Sequence, residues 1–263
     1  MLPSIASGLG IGSGINTRTL VSELAASARE AREVAITAKE RANGARVSAV
    51  ATLKDGLAAL ASNYAESASG VDAAGLKKLA IAFVSGFNLL QGTLANALRG
   101  GSASASAGSL NGDSAGRTVQ VKFRQLPQEE LVATGTYRTL SDIGIGVSRT
   151  GALTIDNARF DAAVTAAPAE VSAMLVGMTG LPSALARLRD GLTLGNGALG
   201  IASSRYERIA GGIAKERVRM EDDNARLIDR LTKSFGGMDR RVAQLKAVQS
   251  YVEQQVAAWN SAR

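Results

Sequence analysis

The stretch "FGGMDRRVAQLKAVQSYVEQQVAAWN", residues 235–260, places Met238, Val242, Leu245, Val252, Val256 and Trp259 at steps of four, three, seven, four and three. That is the period of an amphipathic helix with one narrow apolar seam. A lone helix cannot bury its own stripe, so the seam requires a partner from this chain, from a second copy or from a different protein. Any fold for this chain has to be arranged around that requirement.

The same seam extends upstream through Ile209, Ile213, Met220, Asn224, Leu227, Leu231 and Phe235. A helix from about residue 202 to 259 would be roughly 85 Å long at about 1.5 Å per residue. Gly236–Gly237 is its weak point. A second long helix is predicted near the other end, behind the Gly/Ser-rich "MLPSIASGLGIGSGIN", whose apolar points are Ile5, Leu9, Ile11 and Ile15. Asn16 or Thr17 suits its N-cap. Leu20, Leu24 and Val34 are sparse anchors among alanines, followed by a tighter seam of Val47, Val50, Leu53, Leu57, Leu60 and Tyr64. Asn43–Gly44 is the candidate point for a bend or a break, and the helical pattern fades at about Ala61.

Between these helices the pattern changes. "SNYAESASGVDAAG" (62–75) reads as a polar break, and "LKKLAIAFVSGFNLLQGTLANALRG" carries the wide apolar face of a core helix. "GGSASASAGSLNGD" (100–113) reads as a loop. "RTVQVKFRQL" fits a strand through Val119, Val121 and Phe123, and equally a helix through Val119, Phe123 and Leu126 behind an Asp113 or Ser114 cap. "IGIGVSRTGALTID" reads as two short strands around Thr150–Gly151, with Asp156 capping the next helix and Pro168 opening another. The expectation is a small α/β knob in an otherwise helical chain.

Charge and composition exclude several functions. The net charge is +7, yet "KERVRMEDDNARLIDR" interleaves its signs, which suits solvent and intrahelical pairs better than phosphate. No nucleic-acid partner is expected. The chain has no His and no Cys, which removes the commonest general base, the thiol nucleophile and most transition-metal ligand sets. "GLGIGSG" does not give a dinucleotide turn, and the consecutive Glu221, Asp222 and Asp223 point in different directions. No catalytic, cofactor or metal site is expected. There is no run of about 20 uncharged apolar residues and no basic n-region with an unbroken apolar stretch at the start, so neither membrane insertion nor a Sec signal is expected.

Several segments, in this order along the chain, carry a likeness: "SIASGLGIGSGINTRTLVSEL", "VSAVATLKDGLAAL", "AIAFVSGFNLLQGTL", "YRTLSDIGIGVSRTGALTIDNARFDAAVTAAPAEVSAML" and the closing "FGGMDRRVAQLKAVQSYVEQQVAAWN". Together they resemble the flagellar filament cap family (FliD, flagellar hook-associated protein 2). One departure is plain: the β-rich insertion typical of the family, which precedes the core helix, shrinks here to "SNYAESASGVDAAG".

The resemblance implies a mainly α protein with a terminal antiparallel coiled-coil leg, residues 1–42 and 236–263. A helical domain, 43–235, would carry the knob at about 137–176. It implies a non-enzymatic cap, secreted without a cleaved signal to the tip of the flagellum, where it promotes ordered insertion of flagellin. The implied partners are flagellin, hook-filament junction proteins, other copies in a ring-like homo-oligomer and, before secretion, a flagellar export chaperone. The implied leg interface comprises Leu9, Ile11, Ile15, Leu20, Leu24, Met238, Val242, Leu245, Val252, Val256 and Trp259. Two other readings stay open: a different flagellar axial or junction protein, and a cytoplasmic coiled-coil scaffold.

Overall fold

The computed structural model describes residues 16–72, 74–104 and 106–261. In chain order the elements are α1 (Thr17–Ala68), α2 (Leu76–Leu98), α3 (Ser114–Gln125), a 3-10 turn (Leu126–Gln128), β1 (Ile145–Val147), β2 (Leu153–Ile155), α4 (Asn157–Ala166), α5 (Pro168–Leu175), α6 (Leu181–Thr193) and α7 (Ala198–Ser261). The protein is mainly α. It divides into two compact units, Met1–Arg41 with Gly211–Arg263, and Ala42–Ala210. The long helices α1 and α7 contribute to both.

The larger unit, Ala42–Ala210, is organised on α2. Its Leu76, Leu79, Phe83, Phe87, Leu90 and Leu94 are buried at steps of three and four, against Val50, Leu53, Leu57 and Tyr64 of α1. Burial of each such large side chain contributes on the order of 1.5–3 kcal/mol. The aromatic rings run in a chain from Tyr64 to Phe83, Phe87 and Phe123, with centroids 5.4, 6.0 and 5.0 Å apart. By length and composition α2 could cross a membrane, but that apolar face is committed to the core of the unit.

Residues 114–125, open between strand and helix in the sequence, form α3. Asp113 decides it by accepting a hydrogen bond from the Ala115 N–H at 2.8 Å, the geometry of an N-cap. Val119 and Phe123 are then buried one turn apart, and Val121, which a strand would bury with them, is exposed.

The knob follows its turn chemistry. β1 and β2 pair antiparallel with Ile145 opposite Ile155 and Val147 opposite Leu153. Gly151 sits at φ +88°, a conformation that favours glycine. Asp156 caps α4 through the Arg159 N–H at 3.1 Å, and Pro168 stands in the first turn of α5, where its missing N–H costs nothing.

Both weak points in the long helices are continuous helix. Asn43 is buried, and its Nδ2 donates to the Tyr206 carbonyl at 3.0 Å, so the position is held from outside the helix. Gly236–Gly237 lies inside unbroken α7. α1 also runs past Ala61 to Ala68, because Tyr64 is buried and its hydroxyl donates to the Leu175 carbonyl at 2.9 Å. The polar break is accordingly shorter than residues 62–75.

Candidate functional site

In the smaller unit the described parts of α1 and α7 run antiparallel. Arg32 reaches Asp223 at 3.3 Å, Lys39 reaches Glu216 at 2.8 Å, and Arg217 clamps Glu40 with Nε and Nη2 at 2.9 and 2.8 Å. The Arg217 hydrogen bond holds the Glu40 carboxyl below its ordinary range. Lower residue numbers on one helix meet higher ones on the other, so at equal rise residue 17 falls level with about residue 239. The charge pairs of this segment therefore run largely between helices, where the sequence had suggested pairs within α7; Lys233 with Asp229, at 2.7 Å, is of the expected kind.

The packed seam between the helices is thin. Ile36, Ile213 and Met220 form a small buried cluster, and Val21 and Ala25 are also buried. The sequence reading singled out Leu20 and Leu24 instead; Leu20 is half-buried and Leu24 is exposed. Each lies one position from the buried residue. The signal available was the step of four from Val21 to Ala25, which a pattern weighted toward leucine passes over although a small residue lets two helices approach closely.

Further along α7 the seam opens. Val242 is half-buried, whereas Met238, Leu245, Val252 and Val256 are exposed and Trp259 is 81% exposed. Val248, 60% exposed, widens the apolar surface. Leu9, Ile11 and Ile15 lie outside the described residues. The structure thus presents the sequence-predicted α7 residues together on one helix as an exposed stripe, and singly dispersed apolar residues would carry no such meaning.

The larger unit offers little chemistry. A groove of about 330 Å³ between α1 and α2 is lined by Gly56, Leu60, Leu79, Phe83, Gly86 and Leu90 among others. Its one titratable lining group is Tyr64, whose hydroxyl is bonded to Leu175 and whose pKa is pushed well up by burial. Elsewhere Asp113 accepts from Arg205 and from the Tyr206 hydroxyl, and the guanidinium of Arg46 lies 5.9 Å from the Tyr206 ring centroid. Burial pushes Asp113 up, but the Tyr206, Ala115 and Arg205 contacts outweigh it and leave the carboxyl below its ordinary range. This cluster ties α1, α3 and α7 together. Among the described residues no three His, Cys, Asp or Glu are grouped to hold a metal ion.

The fold and this surface can be set beside known proteins. Residues 65–247 match a family model described as the flagellar hook-associated protein 2 C-terminus. The chain belongs to that family. The match begins in the last turn of α1, takes in α2 and the knob, and ends at Ala247 inside the exposed part of α7. The chain is 30% identical over 157 residues to the A-type flagellar hook-associated protein 2 of Pseudomonas aeruginosa, covering 57% of this chain and 31% of that protein. It is 32% identical over 119 residues to the flagellar hook-associated protein 2 of Aeromonas caviae, covering 43% of this chain and 26% of that one. These matches span less than a third of either relative's own length. Membership in the hook-associated protein 2 family associates the chain with the flagellum.

Proposed function

We propose that this chain acts as a structural cap at the distal end of the flagellar filament, promoting ordered insertion of exported flagellin by binding and steric confinement, without bond chemistry. In this reading residues 1–42 and 236–263 are the leg that engages the filament end, and 43–235 carries the knob. Flagellin and hook-filament junction proteins are its partners, a ring-like homo-oligomer is its working state, and an export chaperone accompanies it before secretion. Family membership supports the flagellar setting. The observation that carries the leg assignment is the exposed stripe from Met238 to Trp259, a surface too apolar and too regular to be left to water.

The test is a truncation lacking residues 238–263, expressed in cells deleted for the full-length gene. The deletion leaves α2, the knob and the buried core of the larger unit intact, so circular dichroism and urea denaturation should show a folded body. The expected phenotype is flagellin released into the medium and few filaments in electron micrographs. Normal filaments from the truncated protein would reject the leg assignment.

A further inference from the structure

The charges of the smaller unit are sorted by side. On α7, Arg219, Arg226, Arg230 and Arg240 recur at steps of seven, four and ten, which holds them on one face. All are exposed and none has an ion-pair partner among the described residues. Four acids share that face, but Glu216 is bound to Lys39, Asp223 to Arg32 and Asp229 to Lys233, which leaves Asp222. A cavity of about 380 Å³ opens on this side, lined by Arg29, Arg32, Asp223, Asn224, Arg226 and Arg230 among others.

Across the seam the sign reverses. A second cavity, of about 700 Å³, is lined by Glu23, Glu30 and Glu33 of α1 together with Ala25, Asn224 and Ile228. Glu23 and Glu30 are exposed and have no ion-pair partner among the described residues, while Glu33 lies 3.2 Å from Arg29. Glu221, one heptad before Ile228, stands on the same side of α7. Arg29 and Asn224 line both cavities; Arg29 Nε turns to Glu33, and Asn224 Oδ1 is buried without a hydrogen-bond partner among the described residues. Over the stretch of these two cavities the paired helices thus carry one basic edge and one acidic edge, the acidic one ending before the exposed Arg41 three turns beyond Glu30.

We infer that a second copy of this chain docks on the basic edge, presenting Glu23 and Glu30 of its acidic edge to Arg226 and Arg230. Guanidinium forks take carboxylates in a directed, two-toothed manner, and charge complementarity of this kind sets register and partner choice more than raw affinity. The edges are different patches, so the contact is heterologous: each copy offers an unused edge to the next, and repetition gives a ring or an open row, not a two-fold dimer. A phosphate backbone fits less well, because a continuous row of negative charges would also meet the unpaired Asp222, whereas two separate carboxylates need only Arg226 and Arg230. This deepens the self-association in the proposed function by naming its surface, but it is read by association alone, so its failure leaves the capping assignment standing.

The experiment is sedimentation velocity on the full chain at several hundred micromolar in low salt. Wild type should gain mass with concentration and lose that association in 0.5 M NaCl. Arg226→Glu with Arg230→Glu gives two acidic edges, and Glu23→Arg with Glu30→Arg gives two basic ones. Each variant alone should associate at least tenfold more weakly than wild type, with unchanged helical circular dichroism. An equimolar mixture of the two should regain salt-sensitive association, which a folding defect could not produce. A wild type that stays monomeric, association indifferent to salt or to the substitutions, or a mixture that regains nothing would each overturn the inference.

Discussion

Asn88 grips Leu153 by both backbone groups: its Nδ2 donates to the Leu153 carbonyl at 3.0 Å and its Oδ1 accepts from the Leu153 N–H at 2.7 Å. One side chain of α2 therefore substitutes for a third strand beside β2, and the knob is fastened to the core helix through it. Asn88→Ala removes both partners and leaves two half-buried backbone groups unpaired, at a cost of about 1–3 kcal/mol. Asn88→Asp keeps the acceptor, loses the donor and brings a carboxylate toward the Leu153 carbonyl, so it should not restore stability. Urea denaturation of the two variants checks this, and an alanine variant as stable as wild type would make the grip incidental.

Acid should loosen the larger unit through Asp113 and Asp142. In both, burial raises the carboxyl pKa and is outweighed by hydrogen bonds, from Tyr206, Ala115 and Arg205 to Asp113 and from the Arg138 and Thr139 N–H groups to Asp142. The folded values thus lie below the ordinary 3.8. Their stabilisation is present above that value and is lost as pH falls through the folded one. Asp113→Asn keeps an N-cap acceptor but removes the titrating charge, so it should lower stability at pH 7 by about 1 kcal/mol through the weakened bonds from Arg205 and Tyr206. It should also flatten the decline below pH 4. Thermal melts from pH 7 to 2.5 read both effects; a variant with an undiminished acid slope would show that Asp113 does not titrate with folding.

Trp259 is the chain's single tryptophan and is 81% exposed, so intrinsic emission reports one place on the stripe. Free protein should show red-shifted, quencher-accessible emission. Filament ends should bring a blue shift and protection, and Trp259→Ala should impair capping while helical content is kept. Unchanged emission on binding, together with normal capping by the alanine variant, would move the partner surface elsewhere.

Amide exchange should grade along α7. Leu199, Ala202 and Tyr206 are buried in the larger core, Ile213 and Met220 in the thin seam, and residues 243–260 are exposed throughout. Protection should fall in that order, since backbone ordering costs on the order of 1–2 kcal/mol per residue and the last segment buries little to offset it. At micromolar concentration the chain should also be mainly monomeric by mass photometry. Uniformly slow exchange to residue 260 in such a monomer would contradict the gradient, and a stable ring at that concentration would contradict the second expectation.

Much of the larger unit was legible because its signals are local. The turn at Thr150–Gly151, the caps at Asp113 and Asp156 and the wide face of α2 each act within a few residues. The errors lie where a distant contact decides. Asn43 reads as a helix breaker until Tyr206 supplies its acceptor, and the end of α1 depends on Tyr64 finding the Leu175 carbonyl. In the smaller unit the stripe of α7 was readable from period alone, but Val21 and Ala25 were not, since alanine carries little weight in any hydrophobic pattern. The sorting of charge to two edges was hidden because both signs alternate along the sequence and separate only when the helices pair.

The bridges Arg32–Asp223, Lys39–Glu216 and Glu40–Arg217 are individually weak, being exposed or partly so. As a set they work like the marks of a vernier. Sliding α7 by one turn in one direction would bring Arg219 opposite Arg32 and Gly212 opposite Lys39; in the other, Glu221 would face Glu40 and Leu227 would face Arg32. The seam, with so few buried side chains, would resist such a slip weakly, but the charges would oppose it. With the helices indexed in this way, the described end of α7 projects about 33 Å past the first turn of α1, at about 1.5 Å per residue. Every copy then carries its terminal stripe at the same reach, to well within the 5.4 Å of a helical turn.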